Sequence, residues 1–252
     1  MAEILHFRLK LVFFVILLLS FFQVWSQTSS RVDEIIFKVY NQNFDEVPAK
    51  IEDLNKISPQ IAQYIKIDYL WWSMISNSTT QTESIFLSEL KSLTEKITED
   101  KDFNQLIYFI YQIRYENFRN KSFSKYLTIL KFHFFMENIN FSCLKNADSF
   151  VQSMFILLYE MNEFMKYKFL SDSMFNTKIN VEKCRLSLQK IENMSNPEIK
   201  SFDVVKTYFL AKIYNDIEND NQKARIKFTK LSNLFPENTI FKQALSEYKK
   251  LE

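Results

Sequence analysis

The chain has 2 histidines, and His133 lies inside the aromatic run Phe132–Phe135. An imidazole could shuttle a proton or bind a metal near neutral pH. No Cys or second His stands at useful spacing from it, so His133 reads first as a structural residue on an apolar helix. Cys143 and Cys184, the 2 cysteines, have no local partner ligand and do not make a metal site. They leave two readings: a disulfide, or a buried thiol at Cys184, which shares a helical stripe with Val181, Leu188 and Ile191. Glu160 and Glu163 are helical neighbours that could work as acid and base, but a solvated charged face explains them equally. Arg114 lies in a helix apolar over more than half its circumference. It could bind an acidic ligand group, pair with a carboxylate, or reach water along its own stem. The chain contains no nucleophile elbow, no HExxH and no Gly-rich phosphate loop. No catalytic residue, metal or cofactor is expected, and the chain is read as a non-enzyme. Asn77, Asn120, Asn140 and Asn193 open glycosylation sequons that matter only in a eukaryotic host.

The elements that position these residues should be helices. The chain has 0 Gly, whereas tight βαβ turns, two-residue hairpins and phosphate cradles lean on glycine for positive φ or close backbone approach. Helices can end on Asn or before Pro instead. Hydrophobic residues at 47%, with 26 Phe and 12 Tyr, suit a packed core in a chain of 252 residues. The 32 basic and 30 acidic residues are interspersed, so no field for recruiting nucleic acid is implied. Apolar periodicity places helices over Val32–Asn41, Phe44–Ile57, Pro59–Ser76, Ser84–Glu99, Phe103–Phe118, Phe123–Asn138, Asp148–Leu170, Ile179–Met194, Ser201–Ile217 and Thr239–Leu251. A further helix runs through Ala224, Phe228 and Leu231. Ser58-Pro59 is a start signal, Asp100–Asp102 a short charged turn, and Asn219-Asp220-Asn221 an inter-helix turn.

Residues 1–26 read as a secretory signal peptide. Arg8 and Lys10 form its positive end, Leu11–Phe22 its apolar stretch, and Val24-Trp25-Ser26 the cleavage site. An uncleaved anchor is the alternative. Export would put the cysteines where a disulfide persists. The expected organisation is a signal peptide over 1–26 and a single α-helical domain over 27–252. No embedded membrane helix is expected after cleavage, because Glu160, Glu163, Lys166 and Lys168 interrupt the long aromatic helix Asp148–Leu170.

Lys206–Pro236 resembles one tetratricopeptide (TPR) unit, with Leu210, Ala211 and Tyr214 at its first-helix positions and Ala224, Phe228, Leu231 and Pro236 at its second. Ala211 and Ala224 are small enough for two helix backbones to approach closely. Val47, Ile51, Leu54 and Pro59 repeat the second-helix spacing. Together with Phe44-Asp45-Glu46, the aromatic helix around Trp71-Trp72 and the closing Leu234–Asn238, the chain is similar to exported TPR-like proteins of Bacteroidetes. The resemblance implies an all-α, right-handed superhelix of antiparallel helix pairs, ten or eleven helices with a C-terminal capping helix. It also implies a periplasmic or outer-membrane-associated scaffold that binds a peptide or protein partner. Lys206, Tyr208, Lys212, Trp71 and Trp72 are the contact candidates, although one Trp could instead wedge between helices. The competing expectation is an exported lipid- or small-ligand-binding module, or an enzyme, walled by Phe150–Phe169. Its mark would be an apolar cavity on which Arg114 or His133 converges.

Overall fold

A computed structural model of the protein describes residues 28–95, 101–139, 147–170 and 177–249. Among them every regular element is helical. They are α1 (28–40), α2 (Val47–Asn55), α3 (Pro59–Ser76), α4 (Thr80–Glu95), α5 (Lys101–Phe118) and α6 (Ser122–Glu137). After these come α7 (Ser149–Met165), α8 (Thr177–Asn193), α9 (Ser201–Asp216), α10 (Asn221–Leu234) and α11 (Thr239–Lys249). The signal-peptide expectation, Asn140 and Cys143 all fall outside the described residues.

A chain without glycine still needs left-handed backbone to end its helices. Gln42 (φ 61°), Asn120 (φ 54°) and Asn219 (φ 54°) supply it just past α1, α5 and α9. After α5, Lys121 N–H bonds the Glu116 carbonyl at 2.8 Å and Asn120 N–H that of Asn117 at 3.1 Å. Asn43 and Gln42 repeat this on Lys38 and Val39 at 3.0 and 3.1 Å. Both are the two-bond closure of a helix C-terminus, with Asn or Gln where glycine is usual. At the other ends, Asp220 accepts from Lys223 N at 3.0 Å and Asp148 from Phe150 N at 2.8 Å. Ser58 stands at the α3 cap position without a side-chain bond, so Pro59 alone carries that start signal.

Consecutive helices pack on one another, and α3, α5, α7 and α9 also meet through their inner faces. The apolar positions expected from the repeat pattern are all buried: Val47, Ile51, Leu54, Leu210, Ala211, Tyr214, Ala224, Phe228 and Leu231. Pro59, the first residue of α3, and Pro236, in the turn after α10, are exposed. Two expectations change. The long helix Asp148–Leu170 breaks after Met165 into a five-residue π segment, Lys166–Leu170. Of the charged turn expected at 100–102, Lys101 and Asp102 belong to α5, and Asp100 lies outside the described residues.

The two ends of the described chain meet. Asp33 on α1 accepts from Ser201 N at 2.7 Å and Lys200 N at 3.3 Å, capping α9 from across the molecule. Asn238 is fully buried. Its Nδ2 donates to the Tyr40 carbonyl at 2.6 Å, while its Oδ1 accepts from Ile240 N and Phe241 N, both at 3.0 Å. Tyr40 packs on Trp72, Phe235 and Tyr208 at ring separations of 4.8, 5.7 and 6.0 Å. A one-dimensional helix stack is held by nearest-neighbour contacts; here the first described helix is bonded to the starts of α9 and α11.

Candidate functional site

Three helices present one face each to a common space. On α5 the face is Ile110, Ile113, Arg114 and Asn117, and on α11 it is Ile240, Gln243, Ala244 and Glu247. Both follow the i, i+3, i+4, i+7 spacing that lines up side chains on one side of a helix. The α9 face is Tyr208, Phe209, Lys212, Ile213 and Asp216. Between these faces lies a cavity of about 340 Å³. Met161 and Met165 of α7, Ile129 of α6 and Phe228 of α10 extend the apolar wall, and Phe169 joins it from the π segment. A π turn inside a helix is a frequent companion of a functional site. The volume is within the range that holds small ligands, about 300–1,000 Å³.

The deep end carries the charge. Arg114 has a side chain 12% exposed. Its guanidinium carbon stands 4.5 Å from the ring centre of Trp71, 4.6 Å from Tyr111, 5.1 Å from Phe209 and 5.2 Å from Tyr208. Four rings give the charge cation–π partners, but they give its N–H groups no acceptors. Both terminal nitrogens of Arg114, and Nε1 of Trp71, are buried without a hydrogen-bond partner. Asp68 is near, with Oδ1 at 3.7 Å from Nη1, and that oxygen is already taken by Tyr111 Oη at 2.5 Å. Burial pushes the Asp68 carboxyl above the usual range, against the pull of Arg114 and the Tyr111 hydroxyl. Burial works against the Arg114 charge too, but the oxygens of Tyr208, Tyr111 and Asp68 outweigh it and hold its pKa above the ordinary value.

The mouth is polar. Lys212 pairs with Asp216 at 2.8 Å, and Asn117 Nδ2 donates to the same carboxylate at 3.3 Å. Lys125 donates to Asn117 Oδ1 at 3.0 Å and stands 5.9 Å from the Phe169 ring centre. Lys168 of the π segment reaches Glu218 at 3.1 Å, tying that segment to the end of α9. Phe118, 41% exposed, forms an apolar lip.

Of the five expected contact residues, the fold brings Trp71, Tyr208 and Lys212 together on this cavity. Trp72 is fully buried in the core against Tyr40, Tyr208 and Phe241. Lys206 is committed elsewhere: its ammonium caps the α8 end at the Glu192 and Met194 carbonyls and pairs with Asp203 at 3.1 Å. His133 stacks on Phe134 and lies 3.3 Å from Glu137, and it does not line the cavity. Glu160 pairs with Lys190 at 2.8 Å. Cys184 Sγ lies 3.8 Å from the Phe164 carbonyl. Sequence reasoning missed the companions of Arg114, namely Asp68, Tyr111 and Phe209. The signal was a single cation inside an apolar i, i+3, i+4, i+7 face.

Among the described residues no group of three or more His, Cys, Asp or Glu side chains could hold a metal ion, and no helix is long and apolar enough to cross a membrane. The chain matches no family model, no curated protein and no solved structure.

Proposed function

We propose that this protein is a non-enzymatic binding module that takes a small, largely apolar ligand into the cavity between α5, α7, α9 and α11. The observation that carries the reading is the meeting of a 340 Å³ apolar-walled space with the buried cation Arg114. Apolar walls with a few convergent polar groups are the usual composition of a small-molecule site. Trp71 and Tyr208, which would be contacts on an open scaffold, are 4% and 3% exposed, so a ligand meets them only from within. The framework is read as TPR-like helix pairs in a right-handed superhelix, supported by Ala211 and Ala224, both fully buried where α9 packs on α10. In this reading the framework is closed by α1. Export through residues 1–26 to a periplasm belongs to the same proposal and rests on the Arg8/Lys10 and Leu11–Phe22 pattern.

The test is titration with N-phenyl-1-naphthylamine, a neutral probe that brightens in apolar surroundings. The expected result is saturable one-site enhancement that is lost in Ala244→Trp, which sets a bulky ring on the α11 face of the cavity. Equal enhancement in both proteins would overturn the reading.

A further inference from the structure

We infer that the ligand is an amphipathic monocarboxylate, its head engaged by Arg114 and the Trp71 indole and its chain laid along the apolar wall. The inference rests on the cavity being a binding site and adds the chemistry of what enters it.

The argument starts from donors. Two guanidinium nitrogens and one indole N–H are buried without acceptors on residues that line one cavity. Buried donors of that kind are rare, and a native protein has a reason for each. Asp68 does not discharge them at this geometry: its Oδ1 stands at 3.7 Å, outside hydrogen-bond distance, and already accepts from Tyr111, while its Oδ2 is likewise buried without a partner. A carboxylate supplies two acceptor oxygens in the plane and at the spacing of the guanidinium fork. Both terminal nitrogens are closed off in this structure, so their engagement by the head requires the guanidinium to turn about its stem. The same donors disfavour two other heads. An ammonium would bring a second cation beside Arg114 and could accept no bond. A phosphate carries roughly two charges at neutral pH, and the deep end offers one guanidinium that already shares the field of Asp68.

Beyond the head, the wall is Ile110, Ile113, Ile129, Met161, Met165 and Phe169. Two methionines in a ligand wall give it the adaptability to follow a flexible chain. At the mouth Lys125 adds a cation bonded to Asn117, which favours an anion on its way in.

The experiment displaces N-phenyl-1-naphthylamine from the full chain with laurate, 1-dodecanol and dodecylamine, three probes that share a tail and differ in head. Laurate is expected to compete at least about tenfold more tightly than the alcohol, as a charge-assisted pair in a buried site requires. Dodecylamine is expected to be the weakest. Arg114→Gln should bring laurate down to the level of the alcohol and leave the alcohol unchanged. Asp68→Asn, which removes the competing negative charge, should tighten laurate alone, and it serves if Arg114→Gln does not fold. Parity of laurate and dodecanol on the parent protein overturns the carboxylate inference while the cavity stands. Laurate preference that survives Arg114→Gln, or that Asp68→Asn leaves untightened, places the head away from Arg114 and overturns the inference too. Probe enhancement that persists in Ala244→Trp removes the cavity itself as the site.

Discussion

Arg114 illustrates how much one residue's surroundings change its meaning. In the sequence it is a cation among apolar neighbours, with three readings open. In the fold it sits among four rings with one carboxylate just out of hydrogen-bond reach. The balance there is tuned by Tyr111, whose hydroxyl opposes the rise of the Asp68 pKa that burial causes. Tyr111→Phe is expected to cost about 1.5–3 kcal/mol at neutral pH, the worth of a buried hydrogen bond to a charged group. The sign of its pH dependence follows from linkage. A carboxyl whose folded pKa is raised contributes most stability below its unfolded pKa, and that contribution is lost as pH rises through the folded value. Removing the tyrosine hydroxyl raises the Asp68 pKa further. The gap between Tyr111→Phe and the parent should therefore narrow as pH falls through the acidic range. Urea melts at a series of pH values measure it, and a gap that widens toward acid would contradict the account.

At the scale of elements, the helices were legible because apolar residues recur at helical spacing and glycine is absent. Leu210, Ala211, Tyr214, Ala224, Phe228 and Leu231 are all buried, as their apolar spacing on two helices requires. The break after Met165 was not legible, since Lys166–Leu170 continues the same apolar period that α7 carries. Nor was the site: in the sequence Lys206 reads as a partner contact, and only the return of the chain from α8 makes it a cap on the Glu192 and Met194 carbonyls. Asn238 shows the same limit. Its position in Leu234–Asn238 announced a turn, but its second bond, to the Tyr40 carbonyl, depends on α1 arriving from the far end of the sequence. Asn238→Ala removes a helix cap and strands a buried carbonyl together. A loss of about 2–3 kcal/mol is expected from those two contributions, read as a lower midpoint in urea with an unchanged slope.

For the whole molecule, the bonds from Asp33 and Tyr40 to the starts of α9 and α11 change how the fold should come apart. A linear array of repeats frays from its ends. This chain should not: amides of α1 are expected to exchange hydrogen together with those of α9 and α11, as one cooperative unit. Hydrogen exchange followed by mass spectrometry resolves the alternatives. Early exchange confined to α1, with α9–α11 still protected, would mean that the closure contributes little.

The same bonds set a clock on biosynthesis. The α1 stripe of Val32, Ile35, Ile36 and Val39 is made early, while the residues that cap and cover it are separated from it by 168 residues at Ser201 and 198 at Asn238. At a translation speed of about 5–20 residues per second, the stripe waits roughly 8–40 s for those partners. A fold built this way stays unfinished until the start of α11 has been made.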